Sequence, residues 1–184
     1  MLDIIQQIDN SILFYILEHL HTQVLDRFMI FITSLGNSGF IWILITFLML
    51  LNKKTRPCGI LLTCSLLLEL LLCDGTLKPM FKRERPFTRF PDVTLLIKMP
   101  RSYSFPSGHT MSSFTAATIL LYYNKRFGIP ALILASSIAF SRMYLFCHYP
   151  TDVLCGMVMG VCTAVIVILT ARFIQSKANY GTAK

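Results

Sequence analysis

Three residues in the stretch from Ser141 to Asp152, namely Arg142, His148 and Asp152, could do chemistry together. Arg142 offers a planar fork suited to a phosphate. His148 lies four residues before Asp152, and a carboxylate within reach of one imidazole nitrogen leaves the other free to attack. Pro150 suits the first turn of a helix, where its missing N–H costs nothing. Asp152 then falls in that first turn, where the helix dipole favours its ionised form. An ordinary loop with a capping acid would look the same, so two further stretches decide the reading.

The first runs from Lys78 to Pro86 and holds Lys78, Lys82, Arg83 and Arg85. The second is Pro106-Ser107-Gly108-His109. Ser107 is a good N-cap, and the amides that follow it would present donors at a helix start. Gly108 permits close backbone approach. Phosphoryl transfer needs cations and N–H donors aimed at the charge spread over several oxygens. These three stretches supply cations, a helix N-terminus and two imidazoles.

The elements that must position them are membrane helices. Of 184 residues, 54% are hydrophobic and only 14% charged, and the mean hydropathy is +0.62. That is too apolar for a soluble domain of this size. At roughly 20 apolar residues per span, the chain fits an all-α, polytopic transmembrane bundle of about five or six helices. One domain over 1–184 is expected. Residues 1–21 hold a short apolar run between acids and histidines, which predicts an N-terminal interfacial amphipathic helix. Asp3 and Asp9 stand where a secretory signal would carry positive charge, so uncleaved spans are expected to direct insertion.

The spans follow in order. Residues 25–51 form one unit, broken or kinked at Gly36-Asn37-Ser38-Gly39. Residues 59–73 form the second, continuing as helix to about Lys78 and carrying Glu69 and Asp74. Residues 107–123, about 129–141 and 151–173 give the third, fourth and fifth. Gly156 and Gly160 are spaced for close helix contact, and the tail from Gln175 is expected to fray. Asp74 precedes Lys78 by four residues, the favourable orientation for a helical ion pair. It is expected to support Lys78 from behind.

The net charge of +8 sits mostly in loops, where it can orient the chain, attract anionic headgroups or bind an anionic substrate. No separate basic domain exists to hold nucleic acid. Arg83, Arg89, Lys98 and Arg101 read as a solvated rim. The six cysteines form no C-x-x-C pair and read as small apolar packing residues. Five spans put the three chemical stretches on one side and the short basic turns with the tail on the other. Assigning those turns to the cytoplasm makes the site face the extracytoplasmic side of the cell membrane.

Lysine, six residues, then Arg-Pro; Pro-Ser-Gly-His; and Ser-Arg, five residues, His, three residues, Asp resembles the signature of the type 2 phosphatidic acid phosphatase family. The resemblance covers Lys78 to Asp152 in motif and the whole chain in size and span pattern. It implies that His148 is the nucleophile forming a phosphohistidine, that Asp152 orients it, and that His109 protonates the leaving oxygen and later activates water. It implies that Lys78, Arg85, Ser107, Gly108 and Arg142 bind phosphate. It implies no metal or other cofactor, and the chain carries no compact metal-ligating cluster. The expected partners are membrane lipids and a lipid phosphate substrate, with no obligatory protein partner.

Among lipids, small members of that family resemble bacterial phosphatases of undecaprenyl diphosphate or phosphatidylglycerophosphate. The extra cations favour the diphosphate, with phosphatidylglycerophosphate or phosphatidic acid as alternatives. Two other classes compete. A soluble-substrate phosphatase or vanadate-binding oxidase is disfavoured by the apolar spans. A non-enzymatic lipid-binding or transport protein is disfavoured because every signature position is filled.

Overall fold

The computed structural model describes residues 2–182 and, among them, contains helices and no strand. Helix α1 spans Leu2–His19. Helix α2 spans Gln23–Leu35 and is capped by Thr22, whose hydroxyl accepts from the Leu25 N–H. Helix α3 spans Phe40–Leu51 and α4 spans Arg56–Leu72. A π-helical turn, Cys73–Leu77, leads into the short α5, Lys78–Phe81. The short α6, Pro86–Arg89, precedes an irregular loop. Helices α7, α8 and α9 span Gly108–Tyr123, Lys125–Tyr144 and Pro150–Thr182.

Among the described residues, three helical segments are long and apolar enough to cross a membrane: 56–89, 125–144 and 150–179. The bent pair α2–α3 would make a fourth. It is bent by 50°, at the glycines where the sequence predicts a break. Ser38 and Gly39 there take φ values of 50° and 69°, which end the first arm. Gly36 has a different reason. A Cβ on it would lie 2.8 Å from His109 Cδ2, so the kink is packed against the site.

Helix α7 sits at the centre. At 16 residues it reaches only about 24 Å, and it is buried on every side rather than along one stripe. Met111, Ala116, Ala117 and Ile119 are fully buried, as are the hydroxyl residues Thr110, Ser113 and Thr115. Those hydroxyls find partners. Ser113 accepts from Trp42 Nε1 at 2.9 Å, and Thr115 donates to the Gly160 carbonyl at 3.1 Å. Gly156 and Gly160 let α9 lie directly on α7: a Cβ at either would strike the Ser107 or Met111 carbonyl oxygen. Outward-facing Leu67, Leu71, Ile133, Val158 and Ile166 are exposed, as lipid-facing residues are.

One expectation changes here: the chain stays helical past Gln175 to Thr182. Helix α1 packs onto the bundle. Leu13 packs with Phe146 and Tyr149, and Phe14 stacks edge-on against Phe90 and Phe146. Its Asp9 is 1% exposed.

Candidate active site

The end of α4 delivers the first cation. After the π-helical turn, Lys78 is buried and its Nζ donates to Asp74 Oδ1 at 2.6 Å. Lys82 at φ 48° closes α5, and the chain then runs extended into Arg85. Arg85 is buried and almost fully engaged. It donates to the carbonyls of Ser102, Tyr103 and Cys147 and to Ser102 Oγ. Its Nη1 also lies 3.0 Å from His148 Nε2.

That last contact sets the histidine tautomer. An arginine can only donate, so Nε2 accepts and the ring proton sits on Nδ1. Burial, with Arg85, Arg142 and Lys78 nearby, pushes the His148 pKa well below the ordinary 6.5. The imidazole is therefore neutral, with its Nε2 lone pair directed at Arg85. Such a nitrogen can attack phosphorus once a phosphate displaces the Arg85 contact.

Arg142 comes from the end of α8. It is 2% exposed, donates to Thr33 Oγ1 at 2.6 Å, and has no partner for its Nε. A buried, unpaired guanidinium donor is costly unless an anion completes it. Lys78, Arg85, Gly108, His109, Arg142, His148 and Asp74 all line one cleft of about 580 Å³. Ile43 of α3 and Leu66, Leu67 and Leu70 of α4 form its apolar wall, and the buried Glu69 also lines it. His109 is held at the rim by Asn37, whose Oδ1 is 3.0 Å from Nε2. A Cβ on Gly108 would lie 3.3 Å from Lys78 Nζ.

Two site residues are placed otherwise than the sequence suggests. Ser107 does not cap α7 through its side chain and does not line the cleft. Its hydroxyl pairs with Thr110 Oγ1 at 2.9 Å, and its N–H donates to the Asp152 carbonyl at 3.1 Å. It ties the two helix starts together from beneath. Asp152 Oδ2 is 3.7 Å from His148 Nδ1, too far for a hydrogen bond. Its oxygens are taken by Arg83, Ser104 Oγ and the Tyr149 N–H. Asp152 thus frames the His148 loop and faces the imidazole electrostatically.

Sequence reasoning missed Arg83, which is no rim residue, together with Asp9, Ser104, Asn37 and Thr33. No local pattern marks them, because contacts between residues far apart in sequence bring them to the site.

With this geometry in place, the likenesses to known proteins are informative. The sequence profile of the PAP2 superfamily matches residues 57–175. An undecaprenyl-diphosphatase of Sulfolobus acidocaldarius is 34% identical over 152 residues, covering 82% of this chain and 73% of that protein. The undecaprenyl-diphosphatase BcrC of Bacillus subtilis is 31% identical over 145 residues, covering 77% and 72%. Among solved structures, the transmembrane PAP2 type phosphatidylglycerolphosphate phosphatase of Bacillus subtilis superposes with a TM-score of 0.76 at 28% identity. The match covers 92% of this chain and 87% of that one. Motif, cleft, bundle and relatives agree, and the chain belongs to the PAP2 superfamily as a multi-pass membrane phosphatase.

Proposed function

We propose that the chain, acting as one unit over 1–184, hydrolyses undecaprenyl diphosphate to undecaprenyl phosphate and phosphate at the outer face of the membrane. One observation carries the reading: His148 Nε2 lies 3.0 Å from Arg85 Nη1 in a cleft that Lys78 and Arg142 also line and whose other wall is apolar. The cations would take the terminal phosphate and the apolar wall the first part of the isoprenoid tail.

In the first step the Nε2 lone pair attacks the terminal phosphorus. The bond from phosphorus to the bridging oxygen breaks, and His109 protonates that oxygen as undecaprenyl phosphate leaves. In the second step water attacks the phosphohistidine, His109 takes the proton from water, and the P–N bond breaks to release phosphate. Lys78, Arg85 and Arg142 meet the charge that develops on the phosphoryl oxygens in both steps. Asp152 stabilises the cationic ring from 3.7 Å, and Asp74 holds Lys78 in place. The N–H groups at the start of α7, from Gly108 on, add donors. No step calls on a metal ion.

The similarity to two undecaprenyl-diphosphatases supports the diphosphate. Phosphatidylglycerophosphate is the second reading, supported by the fold of the Bacillus subtilis phosphatase. Phosphate release by the purified chain, with a strong chelator present, should be measured on undecaprenyl diphosphate, phosphatidylglycerophosphate and phosphatidic acid in matched micelles. The highest kcat/KM should fall on the first. Preference for the second would replace the substrate and leave the chemistry. Loss of turnover in chelator, restored by magnesium, would contradict the chemistry.

A further inference from the structure

Arg83 joins the first helix to the catalytic loop. Its Nη1 donates to Asp152 Oδ1 at 2.5 Å and to Thr151 Oγ1 at 2.8 Å. Its Nη2 donates to Asp9 Oδ2 at 2.7 Å and to Gln6 Oε1 at 2.9 Å. The guanidinium carbon lies 4.2 Å from the centre of the Tyr149 ring. Asp9 completes the frame. Its Oδ1 accepts the Thr151 N–H at 3.0 Å, and its Oδ2 accepts the Thr151 hydroxyl at 2.5 Å. An acid from α1 thereby satisfies a donor in the first turn of α9, a role usually met by a residue just before the helix.

The charges explain why an arginine stands here. Asp9 and Asp152 are 1% and 0% exposed. Two buried carboxylates need a cation between them. A planar fork can serve both at once, whereas a lysine ammonium is a single point. The fork also decides how Asp152 lies. Arg83 holds Oδ1, while Ser104 and the Tyr149 N–H hold Oδ2. The carboxylate is fixed at both ends, and its Oδ2 lies 3.7 Å from the imidazole Nδ1. Neither Asp9 nor Arg83 is among the residues lining the cleft, so neither is set to touch the substrate.

We propose that Arg83, braced by Asp9 from α1, is a positioning residue for the hydrolysis: it fixes the Asp152 carboxylate and, through it, the His148 imidazole. Helix α1 is then a working part of the site. The proposal rests on His148 being the nucleophile.

The test uses the full chain purified in micelles, with undecaprenyl diphosphate as substrate. Asp9→Asn keeps the size and removes the charge, and should lower kcat about tenfold with KM within about twofold. Arg83→Lys keeps the charge and loses the fork, and should lower kcat about a hundredfold. In an Asp152→Asn background both losses should shrink to within about twofold, because the carboxylate they hold is gone. If those variants purify poorly, Gln6→Ala removes one acceptor at a half-buried position and should lower kcat about threefold. A brace that merely held α1 on the bundle would lower thermal stability and leave kcat per folded molecule unchanged; that result overturns the proposal. Equal losses with and without Asp152, or a raised KM at constant kcat, also overturn it. The underlying reading fails separately: it falls if His148→Ala turns over, whatever the Asp9 variants do.

Discussion

Replacing Gly156 with alanine tests how closely the site depends on the contact between α7 and α9. A Cβ there lies 2.8 Å from the Ser107 carbonyl oxygen and 3.3 Å from Thr110 Cβ. Ordinary carbon–oxygen contacts begin at about 3.3 Å, so the shortfall is about 0.5 Å. No rotamer can relieve it, because the struck atom is backbone. That backbone is tied to α9 by the Ser107 N–H bond to Asp152. The start of α7, which carries Gly108 and His109, must therefore shift against the loop that carries His148. A 1 Å misplacement can cost about 10²-fold in rate, so half of that predicts a loss of about tenfold in kcat. The overpacking should also cost about 1–3 kcal/mol of stability. Phosphate release per folded molecule and a thermal melt read the two effects separately. Gly75→Ala is the control, since nothing lies within 4 Å of its Cβ. Wild-type turnover with an unchanged melt for Gly156→Ala would refute the reasoning.

Other expectations follow from the same geometry. The His148 pKa is depressed by burial and by Arg85, Arg142 and Lys78, so below pH 6.5 the unfolded chain binds a proton that the folded one refuses. The stability this residue contributes is full above about 6.5 and is lost as pH falls, by up to about 1.4 kcal/mol per pH unit within the window. His148→Gln should therefore give a flatter melting temperature between pH 7 and 5; parallel curves would contradict the depressed value. Asp74→Asn should lower turnover about tenfold, or about 1.4 kcal/mol, and the loss should shrink when Lys78 is already alanine. Equal losses in both backgrounds would mean that Asp74 merely meets water. For orientation, exposed Cys64 and Cys162 should first be replaced. Arg89→Cys should then react with an impermeant reagent on intact cells and Lys125→Cys should not; the reverse pattern would turn the site to the cytoplasm.

The cleft was legible because charges are few in so apolar a chain. Lys78, Arg85, His109, Arg142 and His148 stand at ends of apolar runs, and alternate ends of spans must share a side. The kink at 36–39 was legible because glycine and asparagine interrupt an otherwise unbroken run. The central place of α7 was not. A helix buried all round shows no apolar stripe, and its serines and threonines look polar until Trp42 and Gly160 are seen beside them. The Asp9–Arg83–Asp152 brace was invisible for a different reason. It joins residues far apart in sequence, with no local period to announce it. The same brace explains why Asp152 stands 3.7 Å from His148: three other donors hold its oxygens. Four-residue spacing puts the two side chains next to each other and leaves 3.7 Å between them.

The most direct test of the central claim is to trap the covalent intermediate. Substrate labelled with ³²P in its terminal phosphate should be mixed with enzyme, quenched in base, and the labelled peptide sequenced by mass spectrometry. An acid-labile, base-stable phosphate is expected on His148. It should build up in His109→Ala, which slows hydrolysis by water, when the substrate has a good leaving group. It should be absent in His148→Ala, which should also release no phosphate. Label on His109, or turnover by His148→Ala near the wild-type rate, would rule out His148 as the nucleophile.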